Sequence, residues 1–253
     1  MLELEWYVYA IFFAAAFCAG LVDSIAGGGG LITVPTLMAL GVPPHMVLAT
    51  NKLQSSFGSF TAALNFCLKG MVSLREVAFG VGCVVVGASL GTTLILWLKA
   101  DILRVLIPIF LSLIFIYTLL APKVGEGDSH PKLKPALFYG IFGLGLGFYD
   151  GFFGPGTGSF WTFAMVALLG LNMKKATART KVFNFTSNIV SLSVFLIGGE
   201  VIWSVGLLMG AGQMLGAWVG SNLVMAKEVK FIRRVFLCVV GATILKLFWD
   251  FAR

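Results

Sequence analysis

Ten apolar runs fill most of the chain, at about 6–22, 31–48, 53–69, 77–98, 102–121, 136–152, 158–173, 182–198, 201–225 and 231–249. The connections are short, and the longest polar one is Pro122–Lys134, between the fifth and sixth runs. No water-soluble core of 253 residues hides so much apolar side chain: 58% of the residues are hydrophobic and 11% charged. Soluble domains carry about 25% charged residues. The remaining solvent is lipid, and at roughly 20 residues per spanning helix the chain accommodates about eight to ten transmembrane or re-entrant segments. The fold class read from these runs is an all-α integral membrane protein.

The second half repeats the first. At an offset of 129, Ala49 meets Ala178, Lys52 meets Lys181, Gly87 meets Gly216, Gly91 meets Gly220 and Arg104 meets Arg233. Upstream the offset is 127, and Gly20, Asp23, Gly27 and Gly29 meet Gly147, Asp150, Gly154 and Gly156. So many rare glycines and charges in register indicate a tandem duplication, a common transporter plan. The expected organisation is a first membrane repeat at 1–121, a cytoplasmic linker at 122–134 and a second repeat at 135–253. The first two runs of each half are either two spans or a re-entrant hairpin; with three further spans, both choices give an odd crossing number and hence inverted repeats. With the termini outside, 13 of the 18 Lys and Arg fall in inside connections, Lys174, Lys175, Arg179 and Lys181 among them. Positive residues accumulate on the cytoplasmic side.

Within this frame the segments GLVDSIAGGGGLITVP (from Gly20) and GFYDGFFGPGTGSFWT (from Gly147) carry the most chemistry. Consecutive glycines disfavour a continuous helix, each by about 1 kcal/mol, and unwound backbone at membrane depth persists only where protein or a watery cavity covers it. Such a break opens the N-terminus of a half-helix, whose N–H groups and dipole attract anions. Gly28, Gly29 and Gly30, with Gly156, Thr157 and Gly158, are therefore candidate substrate-binding residues; close helix packing is the structural alternative. No GK[ST] follows either cluster, which argues against a phosphate loop. Asp23 and Asp150 each precede a break. A carboxylate inside a membrane is a functional candidate, here for proton coupling, although an aspartate before a turn also serves as a cap.

Two lysines extend the set. Lys52 lies with Asn51 and Gln54 in ATNKLQSSFGS, and Lys181 with Asn184 and Asn188 in ARTKVFNFTSN. Positions 181, 184 and 188 share one helical face, and a lysine flanked by amide donors suits a small oxyanion. Snorkelling from a helix end is the alternative. The repeated GAxLGxxL and GAxVGxxL patterns at Gly87–Leu94 and Gly216–Leu223 read as helix packing.

Other functions find little support. Cys18, Cys67, Cys83 and Cys238 are isolated, and His45 and His130, read as loop residues, have no partners at ligand spacing, so neither a metal nor another cofactor is expected. No hydrolytic constellation points to an enzyme, and scattered basic residues form no nucleic-acid groove. The first run has Glu3 and Glu5 where a signal peptide needs positive charge, so it reads as a retained helix.

The stretches DSIAGGGGLITVPTL, ATNKLQSSFGS and GFYDGFFGPGTGSF resemble the sulfite exporter TauE/SafE family, also called the four-toluene sulfonate uptake permeases, particularly its YfcA-like bacterial members. The resemblance covers nearly the whole chain. It implies a multi-pass protein of the bacterial inner membrane that exports small sulfur-containing anions such as sulfite or organosulfonates. Its expected partners are that substrate and the lipid bilayer. An anion channel, or a carrier of another small organic anion, is the competing reading.

Overall fold

The structure, a computed structural model, describes residues 6–99, 101–102, 109, 127–198 and 201–227. Among these residues the regular structure is entirely helical, in two sets of four. The first set is α1 (Trp6–Ala26), α2 (Gly30–Ala39), α3 (Pro44–Leu68) and α4 (Leu74–Trp97). The second is α5 (Pro135–Phe152), α6 (Thr157–Leu169), α7 (Met173–Gly198) and α8 (Trp203–Ala226). The apolar runs at 102–121 and 231–249 lie outside the described residues, apart from 102 and 109.

Two apolar clusters at opposite ends fix the directions of the helices. One gathers the starts of α1 (Val8, Phe12), α3 (Val47) and α8 (Val205) with the ends of α2 (Leu37), α4 (Ile95) and α7 (Phe195). The other gathers the starts of α4 (Val77), α5 (Phe138) and α7 (Ala176) with the ends of α3 (Phe66), α6 (Leu169) and α8 (Val224). Each long helix thus begins at the end opposite to its repeat partner: α1 against α5, α3 against α7, α4 against α8. The two sets are inverted.

The clusters also decide between span and hairpin. α2 and α6 have 10 and 13 residues, about 15 and 20 Å at 1.5 Å per residue, short of a hydrocarbon core of about 30 Å. α2 returns to the end where α1 began, and α6 to the end where α5 began. That second return is fastened by the linker, where Ser129 N–H donates to the Gly170 carbonyl at 2.7 Å and Lys132 N–H to the Leu168 carbonyl at 2.8 Å. Asp128 accepts from Lys175 Nζ at 2.5 Å and from Asn172 N–H at 2.7 Å, and the Lys175 bond, followed by the Asn172 one, holds its carboxyl below the usual carboxylate range.

Helices α3 and α7 begin well before the apolar runs at 53–69 and 182–198. Pro44 at the first turn starts α3, and Gly170, left-handed at φ 69°, ends α6 so that α7 starts at Met173. Sequence alone placed Lys174, Lys175, Arg179 and Lys181 in a connection and His45 in a loop. These residues are helical, and Lys181 is fully buried. The turns around Lys181 lack an apolar signal because they are buried among other helices, whereas Lys175 is exposed at the end of α7. By length and composition Tyr7–Ala26, Leu74–Trp97 and Met173–Gly198 are able to cross a membrane. The small-residue motifs pack helix on helix across the repeats: a Cβ at Gly87 would meet the Leu144 carbonyl of α5, and one at Gly216 the Phe17 carbonyl of α1.

Candidate functional site

Both glycine segments form hairpin tips, and the tips meet inside the molecule. α1 stops where Gly27 turns left-handed, at φ 77°, and its N–H closes on the Asp23 carbonyl at 2.8 Å. Gly156, at φ 82°, opens α6 in the same way. The two backbones then touch, since a Cβ on Gly158 would lie 2.6 Å from Gly27 Cα. Ser159 Oγ ties the tips together by donating to the Ala26 carbonyl at 2.8 Å.

Behind the tips, α3 and α7 each contribute a lysine, and each lysine binds the aspartate of the other repeat. Lys52 Nζ lies 2.7 Å from Asp150 Oδ1, with both side chains buried. Lys181 Nζ lies 2.8 Å from Asp23 Oδ2. The four charges sum to zero, which makes their burial tolerable; an isolated buried ion is far more costly than a hydrogen-bonded pair.

A small cleft lies beside these pairs, with about 350 Å³ of empty space counting its open mouth. Of the residues singled out from sequence, Asp23, Gly30, Asn51, Asp150, Gly156, Thr157, Gly158, Asn184 and Asn188 line it. Lys52, Lys181, Gln54, Gly28 and Gly29 are absent from the lining. The lysines hold the two aspartates. Gln54 Nε2 donates to Asn51 Oδ1 at 2.8 Å, and Thr33 Oγ1 donates to the same oxygen at 2.7 Å. With its oxygen so occupied, Asn51 has its amide N–H groups to offer. Gly29 N–H reaches Asp23 Oδ1 at 3.3 Å.

Gly27, Gly154 and Ser55 also line the cleft; of these the sequence points to Ser55, in the polar set around Lys52, and to neither glycine as a substrate-binding residue. The duplication held a signal for Ser55, which aligns with Asn184 at the offset of 129. The charged side chains of the lining are thus two carboxylates, each paired with a lysine behind it, and beside them stand amide and hydroxyl groups and the N-terminal ends of α2 and α6. Asn184 Oδ1 is buried without a hydrogen-bond partner, the kind of exception a bound molecule or water resolves. Among the described residues no three His, Cys, Asp or Glu side chains are grouped to hold a metal ion.

The family described as Sulfite exporter TauE/SafE matches residues 12–247. The chain belongs to that family. It is similar to "Probable membrane transporter protein ORF9" of Sinorhizobium sp, with 44% identity over 99% of this chain and 96% of that protein. It is similar to "Probable membrane transporter protein YfcA" of Escherichia coli (strain K12), with 45% identity over 95% of this chain and 89% of the relative. A "Probable membrane transporter protein" of Haemophilus influenzae is 44% identical over 95% of this chain and 94% of its own length. No solved structure matches the chain. Family and relatives identify a membrane transporter, not an enzyme.

Proposed function

We propose that this transporter exports small sulfur-containing anions, sulfite or organosulfonates, across the bacterial inner membrane, coupled to protons and through the cleft between the hairpin tips. The sulfur anion and the outward direction come from the family's description, and the bacterial relatives support the location. The observation that carries the reading is the pair of cross-repeat Lys–Asp bridges beside two half-helix N-termini. An aspartate that takes up a proton releases its lysine, and the freed ammonium then has an anion to bind. Because the repeats are inverted, rocking one against the other presents the cleft to either side in turn.

The test is flux in proteoliposomes against a panel of sulfite, sulfonates, sulfate and thiosulfate, with and without an imposed pH gradient. Saturable flux of sulfite or a sulfonate that responds to the gradient is expected. Flux of none of them, or a non-saturating current indifferent to pH, overturns the reading, and the latter result marks a channel.

A further inference from the structure

The two ion pairs occupy repeat-related positions, yet their surroundings differ. Both carboxylate oxygens of Asp150 are held, one by Lys52 and the other by the Ser187 hydroxyl. Lys52 also donates to the backbone carbonyl of Asp150, and the carboxylate side chain is 5% exposed. Asp23 has Lys181 on one oxygen and only the long 3.3 Å bond from Gly29 N–H on the other, and its side chain is 19% exposed. One position accounts for the missing hydroxyl. Ser187 aligns with Gly58 at the offset of 129, and at Gly58 the space a side chain would take is filled by the Gln213 amide of α8. No hydroxyl therefore stands where Asp23 would need one.

We infer that the pairs divide the work: Asp23–Lys181 is the exchanging pair, and Asp150–Lys52 stays closed and holds the broken end of α5 to α3. This rests on the proposed transport reading. In the step, a proton from water on the open side bonds to Asp23 Oδ2 and displaces the Lys181 N–H. Lys181 remains an ammonium and turns that N–H to an oxygen of a monovalent anion. One proton and one negative charge enter together, so the site keeps its net charge.

Export by this device is driven by the anion's own outward gradient, and acid outside opposes it. The charged groups around Asp23 are Lys181 on α7 and, across the cleft, Asp150 on α5 and Lys52 on α3; α2, α6 and α8 bring none. Tyr149 of α5, next to Asp150 in the chain, has its hydroxyl bonded to the Pro155 carbonyl at 2.8 Å.

Difference infrared spectroscopy of the full chain in liposomes tests the division, because a protonated carboxyl group has its own stretching band. Acidification without substrate, and separately sulfite addition at fixed pH, are each expected to raise that band in the wild type. Nine other Asp and Glu protonate too, so each variant's spectrum is subtracted from the wild type's: Asp23→Asn should remove one carboxyl component and Asp150→Asn none. Ser187→Gly, which frees the second oxygen of Asp150 without removing a charge, should add a second titrating carboxyl. A band unchanged in Asp23→Asn, or a component lost in a folded Asp150→Asn, overturns the inference, as does an unchanged titration in Ser187→Gly. The substrate-free titration separates the division of the pairs from the choice of substrate: sulfite that raises no band while acid does counts against the substrate alone.

Discussion

Lys52 and Lys181 are one residue duplicated into two environments, and substitution is expected to separate their contributions. Lys52→Gln leaves the Asp150 carboxyl group buried and without its cation, a change that costs about 3–5 kcal/mol. The melting temperature in detergent should fall sharply. Lys52→Met combined with Asp150→Leu removes both charges and should recover most of the loss, because an apolar pair of similar volume replaces a buried ion pair at little cost. Lys181→Gln should melt closer to wild type, since Asp23 reaches the cleft. It should instead weaken apparent substrate affinity about tenfold, on the order of 1.4 kcal/mol. Lys181→Arg, which keeps charge with another geometry, should fall between. Equal melting temperatures for both Gln variants would remove the distinction. The sequence showed which residues correspond, but it did not show that each lysine meets the other repeat's aspartate. An alignment of repeats gives equivalence, whereas contact depends on how the two halves interlock. The same limit applies to Ser187, visible in the polar run after Lys181 but not as a partner of Asp150.

At the scale of elements, the glycine tips were legible because unwound backbone in an apolar run has few physical explanations. Whether they spanned or re-entered was not, since an apolar run of 10 to 20 residues fits both. Only the packing of Leu37 and Leu169 against the starts of their own hairpins decides it. The polar first halves of α3 and α7 were harder still. Thr50, Asn51, Lys52 and Gln54 are buried, so these turns are shielded from lipid by other helices and carry no apolar signal. The tip contact makes its own prediction. At Gly158 an added Cβ would press on Gly27 Cα at 2.6 Å and on its carbonyl oxygen at 2.9 Å, both backbone atoms that cannot swing aside. Gly158→Ala should therefore force the hairpins apart, at the cost of about 1–3 kcal/mol typical of overpacking. Gly41→Ala is the control: Gly41 is left-handed at φ 79° with nothing within 4 Å, so only conformational strain of about 1 kcal/mol is at stake. Thermal melting and transport of the two variants should differ, with Gly158→Ala the more damaging. A Gly158→Ala variant that melts and transports like wild type would mean that the tips are not in rigid contact.

For the whole molecule, inversion of the repeats gives each end the same helical parts, so nothing in the fold itself says which end faces the cytoplasm. Charge does. Among the described residues, Lys69, Arg75, Lys132, Lys134, Lys174, Lys175, Arg179 and Lys227 gather at the end that holds the linker, while Lys99 sits at the other. Several are fastened there: Arg179 bonds Glu76 at 2.6 Å and the Tyr139 hydroxyl at 3.0 Å, and Lys174 caps the end of α8 through the Met225 carbonyl at 3.2 Å. Lys52 and Lys181, at the centre, favour neither side. The contrast follows the rule that cytoplasmic connections hold the excess of Lys and Arg, so the linker end is expected inside the cell. Single cysteines placed at Ser129 and at Lys99, in a chain whose own four cysteines have been replaced, report the orientation. Both positions are exposed in the structure. A membrane-impermeant maleimide applied to intact cells should label Lys99→Cys and spare Ser129→Cys until the cells are permeabilised. Labelling of Ser129→Cys from outside would turn the molecule over, and labelling of both with equal efficiency would show two orientations in one membrane.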